Sequence, residues 1–163
     1  MQLRTAARSS RPDGFSLIEL MMVVAIASVL LAIAFPSYMT FIRQSRRTEA
    51  KTTVLDLAGR EERFLSTNPA AYTQVPANLG YTGAWPIVIG NGYYQVTVCS
   101  PAAVACAPNP PAAPSYSILA TPVAGQSQVN DAPCTSFSVD SSGRQYATGT
   151  GGAAVATPYC WAN

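Results

Sequence analysis

From Phe15 to Phe35 the chain runs apolar for 21 residues, and Glu19 is the only charge in the run. At about 1.5 Å per helical residue, such a run spans a hydrocarbon core of about 30 Å. Beyond it the pattern changes while the helical period persists. Ala50, Val54, Leu57, Glu61 and Phe64 recur at intervals of three and four, with Leu65 alongside, and put an apolar stripe on one face. The spacing therefore predicts one long helix to about Leu65, apolar all round in its first half and amphipathic in its second. Asp56 and Arg60 fall at i,i+4 on its outer face, worth only about 0.3–0.5 kcal/mol. Asn68-Pro69 ends the helix, because proline disfavours helix in the residue before it and has no N–H to donate. Pro36 lies inside the helix and should bend or loosen the turn that reaches back to Ala32.

After Pro69 the pattern shortens to a period of two. Tyr93–Cys99, Tyr116–Thr121 and Ser136–Asp140 read as strands, and Ser141-Ser142-Gly143 turns the last of these into Arg144–Ala147. Ser100 to Pro114 is a Pro/Ala-rich loop too irregular for regular structure. The expected fold class is α+β, with the helix stripe packed on a meander of about four antiparallel strands so that both apolar faces are buried.

Composition sharpens the first segment. Hydrophobic residues make up 48% of the chain and charged residues only 11%, against about a quarter charged in soluble proteins. Arg4, Arg8 and Arg11 precede the apolar run, which keeps the N-terminus cytoplasmic and sends the remainder outward. An ordinary secretory signal is the competing reading, but its apolar core is usually about 7–15 residues and no small-x-small site closes this run. Cys99, Cys106, Cys134 and Cys160 all lie beyond it, on the oxidising side, and therefore point to disulfides. The six residues between Cys99 and Cys106 are too many for a close zinc-binding pair. Three pairings are open; closing the shorter loop with Cys99–Cys106 and the longer with Cys134–Cys160 is the one expected.

Little of the chain can carry chemistry. It has no histidine, which removes Ser-His-Asp and Cys-His nucleophiles and histidine-ligated metals. Beyond Leu65 the only charged residues are Asp131, Asp140 and Arg144, and the two acids are expected to cap turns. No catalytic residue, metal site or cofactor is expected. Residues 15–163 are neutral, with seven basic and seven acidic residues, so nucleic acid is not expected as a partner. Arg43, Arg46, Arg47 and Lys51 cluster where the helix leaves the apolar run, and read as contacts to lipid headgroups or to acidic groups of neighbouring subunits. Gly149–Gly152 lacks the Lys-Ser/Thr of a phosphate loop and reads as a flexible loop.

Glu19 is costly in a membrane span and calls for a cation that the span does not contain. If the chain were cut before Phe15, each copy would gain an α-amino group at the same depth. The amine of one copy and Glu19 of the next could then neutralise each other, which ties cleavage to assembly.

The basic leader, Gly14-Phe15, Glu19 at the fifth position after that bond and the long apolar helix closely resemble the class III signal of type IV pilins and pseudopilins. Pro36 matches that family's helix-breaking proline, whereas Ser28 stands where pilins often carry a loosening glycine. Arg47-Thr48-Glu49-Ala50 and Asp131-x-x-Cys134 look most like PilE- or PilA-type pilins, many of them minor pilins. The resemblance implies the type IV pilin fold and a leader, residues 1–14, removed by prepilin peptidase with methylation of the new Phe15 amine. It further implies a filament-core helix at 15–36, the amphipathic half at 37–66 and a head at 67–163, with 134–160 as the disulfide-bounded D-region. Expected partners are other pilin subunits, the peptidase, an inner-membrane assembly platform and membrane lipid. The precursor would sit in the inner membrane and the mature subunit in an extracellular filament serving adhesion, twitching motility or DNA uptake. A type II secretion pseudopilin is the near alternative and a membrane-tethered enzyme the distant one.

Overall fold

The computed structural model describes residues 14–155 and 157–162. The basic leader, with Arg4, Arg8 and Arg11, lies outside them. One helix, α1 (Leu17–Thr67), accounts for the apolar run and the amphipathic stripe. Its two parts belong to different units, which divide between Met39 and Thr40.

In the first unit, every side chain from Gly14 to Tyr38 is exposed, including Leu30, Leu31 and Ile33. The most apolar 18-residue window of α1 has a mean hydropathy of 2.7, enough for a membrane span by length and composition. Ser28 donates its hydroxyl to the Val24 carbonyl at 2.7 Å, satisfying its own polarity within the helix.

In the second unit, Arg47, Ala50, Val54, Leu57 and Glu61 are the buried positions of α1, alternating in steps of three and four along one face. That face covers the core shared with a six-stranded antiparallel sheet of β1 (Ile87–Ile89), β2 (Tyr94–Cys99), β3 (Ser117–Pro122), β4 (Ser136–Asp140), β5 (Gln145–Thr148) and β6 (Ala154–Val155). The strands pair strictly in chain order, each with the next. Register aligns Ile87, Val96, Ala120, Phe137, Ala147 and Val155 in one row across all six strands. Period-two alternation places the row on one face of the sheet, where Val96, Ala120 and Phe137 are fully buried.

The sheet thus has six strands, not the expected four. The four predicted strands are all present; the additions are the three-residue β1 and the two-residue β6. Both are edge strands that owe their conformation to pairing with a longer neighbour, and neither shows an alternating pattern of useful length. Glu49 of α1 secures the β1–β2 turn by accepting the Asn91 N–H at 2.8 Å. Gly90 beside it has φ +45°, and a Cβ there would overlap the Glu49 carboxylate. Glycine meets both the backbone and the space requirement.

The disulfides are Cys99–Cys106 and Cys134–Cys160. The second is buried in the core and ties α2 (Thr157–Trp161) to the start of β4. Trp161 packs edge-on against Phe137 at 5.8 Å and donates its indole N–H to the Tyr146 carbonyl at 2.9 Å. Gly149–Gly152, read as a flexible loop, contains a 3-10 turn at Thr150–Gly152, and the Gly149 N–H is bonded to the Ala153 carbonyl at 2.8 Å.

Gly90→Ala should lower the head's unfolding midpoint, with Glu49→Ala lowering it less. Thermal denaturation of the detergent-solubilised full chain measures both, and a G90A midpoint equal to wild type would contradict the packing described.

Candidate functional site

The apolar segment begins with a built helix start. Ser16 Oγ accepts the Glu19 N–H at 3.2 Å, and the Leu20 N–H bonds the Ser16 carbonyl at 3.2 Å. Ser16-x-x-Glu19 is the spacing of a capping box, and it puts the Glu19 carboxylate in the first turn. There the unpaired N–H groups and the helix dipole favour negative charge. Sequence reasoning missed the part played by Ser16, although its signal, Ser three residues before Glu at the head of an apolar run, was in view. Gly14 and Phe15 precede the helix, and Phe15 is 85% exposed. Pro36 lies inside α1, which continues unbroken through it near the far end of the same segment.

In the head, the basic cluster is not one surface. Arg47 is 4% exposed and forks onto Asp131, with Nε to Oδ2 at 2.7 Å and Nη2 to Oδ1 at 2.6 Å. This bidentate charge-assisted pair holds the guanidinium charged and raises its pKa despite burial. Gln128 completes the arrangement by donating Nε2 to Asp131 Oδ2 at 2.8 Å and to the Tyr94 hydroxyl at 3.1 Å. Arg47 is therefore unavailable to lipid, and Asp131 is an ion-pair partner rather than a turn cap. Its 84-residue separation from Arg47 hid the pair from any local reading. Arg46 stays outward, its guanidinium 3.5 Å over the Tyr93 ring and bonded to Ser127 Oγ at 2.8 Å.

Asp140 does cap a turn, accepting the backbone N–H of Ser142 at 2.9 Å and of Arg144 at 3.1 Å. It also takes the Arg144 Nε at 2.9 Å. Among the described residues, no cluster of three or more His, Cys, Asp or Glu is placed to hold a metal ion.

Glu61 is a half-satisfied carboxylate in the core of the head. It is fully buried; Oε2 accepts the Thr73 N–H at 3.0 Å, while Oε1 has no partner. Burial pushes its pKa from 4.5 up to about 7, opposed by the Thr73 hydrogen bond and assisted by the like charge of Glu62. The neutral form is thus the one this site favours.

A long helix that is apolar and uncovered at its start, followed by a helix-on-sheet head closed by a buried C-terminal disulfide, defines a pilin-like architecture. Residues 36–138 match the family described as "Type IV minor pilin ComP, DNA uptake sequence receptor", and residues 10–35 match the prokaryotic N-terminal methylation motif. The chain belongs to this family of type IV pilins.

It is 42% identical over 64 residues to the type IV major pilin protein PilA of Myxococcus xanthus, covering 39% of this chain and 29% of that one. It is 37% identical over 85 residues to the fimbrial protein EcpC of Eikenella corrodens, covering 52% and 53%. With a fimbrial protein of Moraxella nonliquefaciens it shares 46% identity over 55 residues, covering 34% and 33%. The matched stretches thus span about half or less of these relatives' lengths. A solved type IV pilin from Shewanella oneidensis superposes with a TM-score of 0.40 at 24% identity, over 63% of this chain and 89% of that one.

Because the folded-state pKa of Glu61 lies above its ordinary value, its contribution to stability is complete below about pH 4.5 and is lost as pH rises to about 7. Glu61→Gln should therefore raise the unfolding midpoint relative to wild type at pH 8 and much less at pH 5. Equal gains at the two pH values would show that Glu61 does not titrate in this window.

Proposed function

We propose that this chain is a structural subunit of a type IV pilus, made as a single-pass inner-membrane precursor and incorporated into an extracellular helical filament. The match to the N-terminal methylation motif, at the head of a helix whose apolar side chains up to Tyr38 are all uncovered in the isolated chain, carries this reading. Prepilin peptidase would cut between Gly14 and Phe15 and methylate the new amine. Residues 15–36 would then form the filament core, and the 67–163 head, with its 134–160 D-region, would face outward. The amine released at Phe15 would pair with Glu19 of a neighbouring copy. Capping of α1 by Ser16 supports this, because it holds Glu19 in the turn next to the new terminus. An assembly platform and separate motor proteins would supply the force for extraction. No step requires catalysis by this chain. The relatives named as pilins and fimbrial proteins favour a pilus over a secretion pseudopilus.

A second reading, contact with DNA, is favoured by the family's description as a DNA uptake sequence receptor. The charge pattern opposes it: beyond Leu65 the only cation is Arg144, already bonded to Asp140 and to the Asn109 carbonyl. A mobility shift of duplex DNA by the purified full chain at about 0.15 M salt decides between them, since weak phosphate contacts are suppressed there.

Gly14→Val should leave uncut precursor in the membrane, seen as a larger species on immunoblot. Glu19→Val should be cut normally yet yield few sheared pili. Mature-size protein in the first variant would remove the processing assignment, and wild-type pilus yield in the second would remove the pairing.

A further inference from the structure

The face of the sheet turned away from α1 carries a groove of about 580 Å³ between the Cys99–Cys106 loop and β6. Its volume falls in the range of small-ligand sites. The floor is formed by the interior strands β3, β4 and β5, and the walls include Val104 and Pro108 on one side and Ala154 on the other. The disulfide pins the first wall, as do the bond from the Ala103 N–H to Ser117 Oγ at 3.2 Å and that from Arg144 Nη2 to the Asn109 carbonyl at 2.8 Å.

The chemistry of the lining narrows the ligand. Among the described residues, no charged one lines the groove, so phosphate, carboxylate and ammonium groups would enter without a counter-charge. A purely apolar ligand fits no better. Ser138 is 5% exposed, and its hydroxyl has no hydrogen-bond partner among the described residues, so covering it with hydrocarbon would strand it. Ser136 and Thr148 bond each other at 2.5 Å and keep further acceptor capacity, and the exposed side-chain amide of Asn109 adds both a donor and an acceptor.

The interior strands are paired on both sides, so the floor offers side-chain hydroxyls rather than free backbone groups. That disfavours an added peptide strand, which needs an open sheet edge. A neutral polyol fits the remaining description, with hydroxyls meeting Ser138, Thr148 and Asn109 and a C–H face against Leu119 and the Tyr146 ring.

We propose that this groove is a binding site for a neutral saccharide unit, held by Ser138 and Asn109 and walled by the Cys99–Cys106 loop. The test is saturation-transfer NMR on the full chain in a phosphocholine detergent, which contributes no competing glycoside, with lactose and maltose as probes and penta-alanine as the peptide probe. Saturable transfer to a sugar is expected, weakened about fivefold by Ser138→Ala, the loss of one hydrogen bond, and abolished by Ala105→Trp, which fills the groove. Ser138→Ala removes only one hydroxyl and serves where the tryptophan variant does not fold, as judged from its methyl spectrum. Absence of transfer to both sugars overturns the proposal. So does transfer that both variants leave unchanged, or transfer to penta-alanine in place of sugar.

Discussion

Packing of the Ala50, Val54 and Leu57 stripe against the sheet is the contact on which the head depends. These three side chains are fully buried, and they meet a sheet whose inward row is set by register across every strand. Because the stripe repeats in steps of three and four, the same face continues to Arg47 at one end and Glu61 at the other. Burying the stripe therefore commits two ionisable groups to the interior. The two ends resolve this differently: Arg47 receives a bidentate carboxylate, whereas Glu61 receives one backbone N–H and is better accommodated neutral.

The first half of α1 presents the opposite situation. Its side chains are apolar on every face and exposed from Gly14 to Tyr38. Uncovered apolar surface of this extent requires lipid or other helices. Ser16 and the helix dipole lower the cost of Glu19 at the start of that segment, and the remaining deficit is one of net charge. A filament of many copies would supply both the cover and the cation with no change to the helix itself.

The two disulfides are both buried but hold different kinds of segment. Cys134 and Cys160 are both fully buried and join the C-terminal helix to the core, where Trp161 and Phe137 pack beside them. Cys99–Cys106 instead holds a loop whose Val104 is 74% exposed. Beyond the turn bonds of the Cys106 and Ala107 N–H groups to the Ala103 carbonyl, the loop is shaped by its one disulfide, by the hydroxyls of Ser115 and Ser117, and by Arg144. A wall made this way can be apolar and exposed without belonging to the core.

What could be read along the chain was whatever depends on local period or local charge. The apolar run, the stripe from Ala50 to Leu65, the four longer strands, the Asp56–Arg60 pair and the Asp140 turn all involve residues within a few positions of one another, where side-chain direction follows from the backbone. The tertiary structure alone decided the rest. Arg47 and Asp131 meet only because the sheet returns the chain to the helix after 84 residues, so a basic cluster that looked like a surface is divided between inside and outside. β1 and β6 are too short to show a period and exist because a paired neighbour stabilises them. The groove over the sheet needs a loop and three strands to be brought together, and no spacing along the chain encodes that.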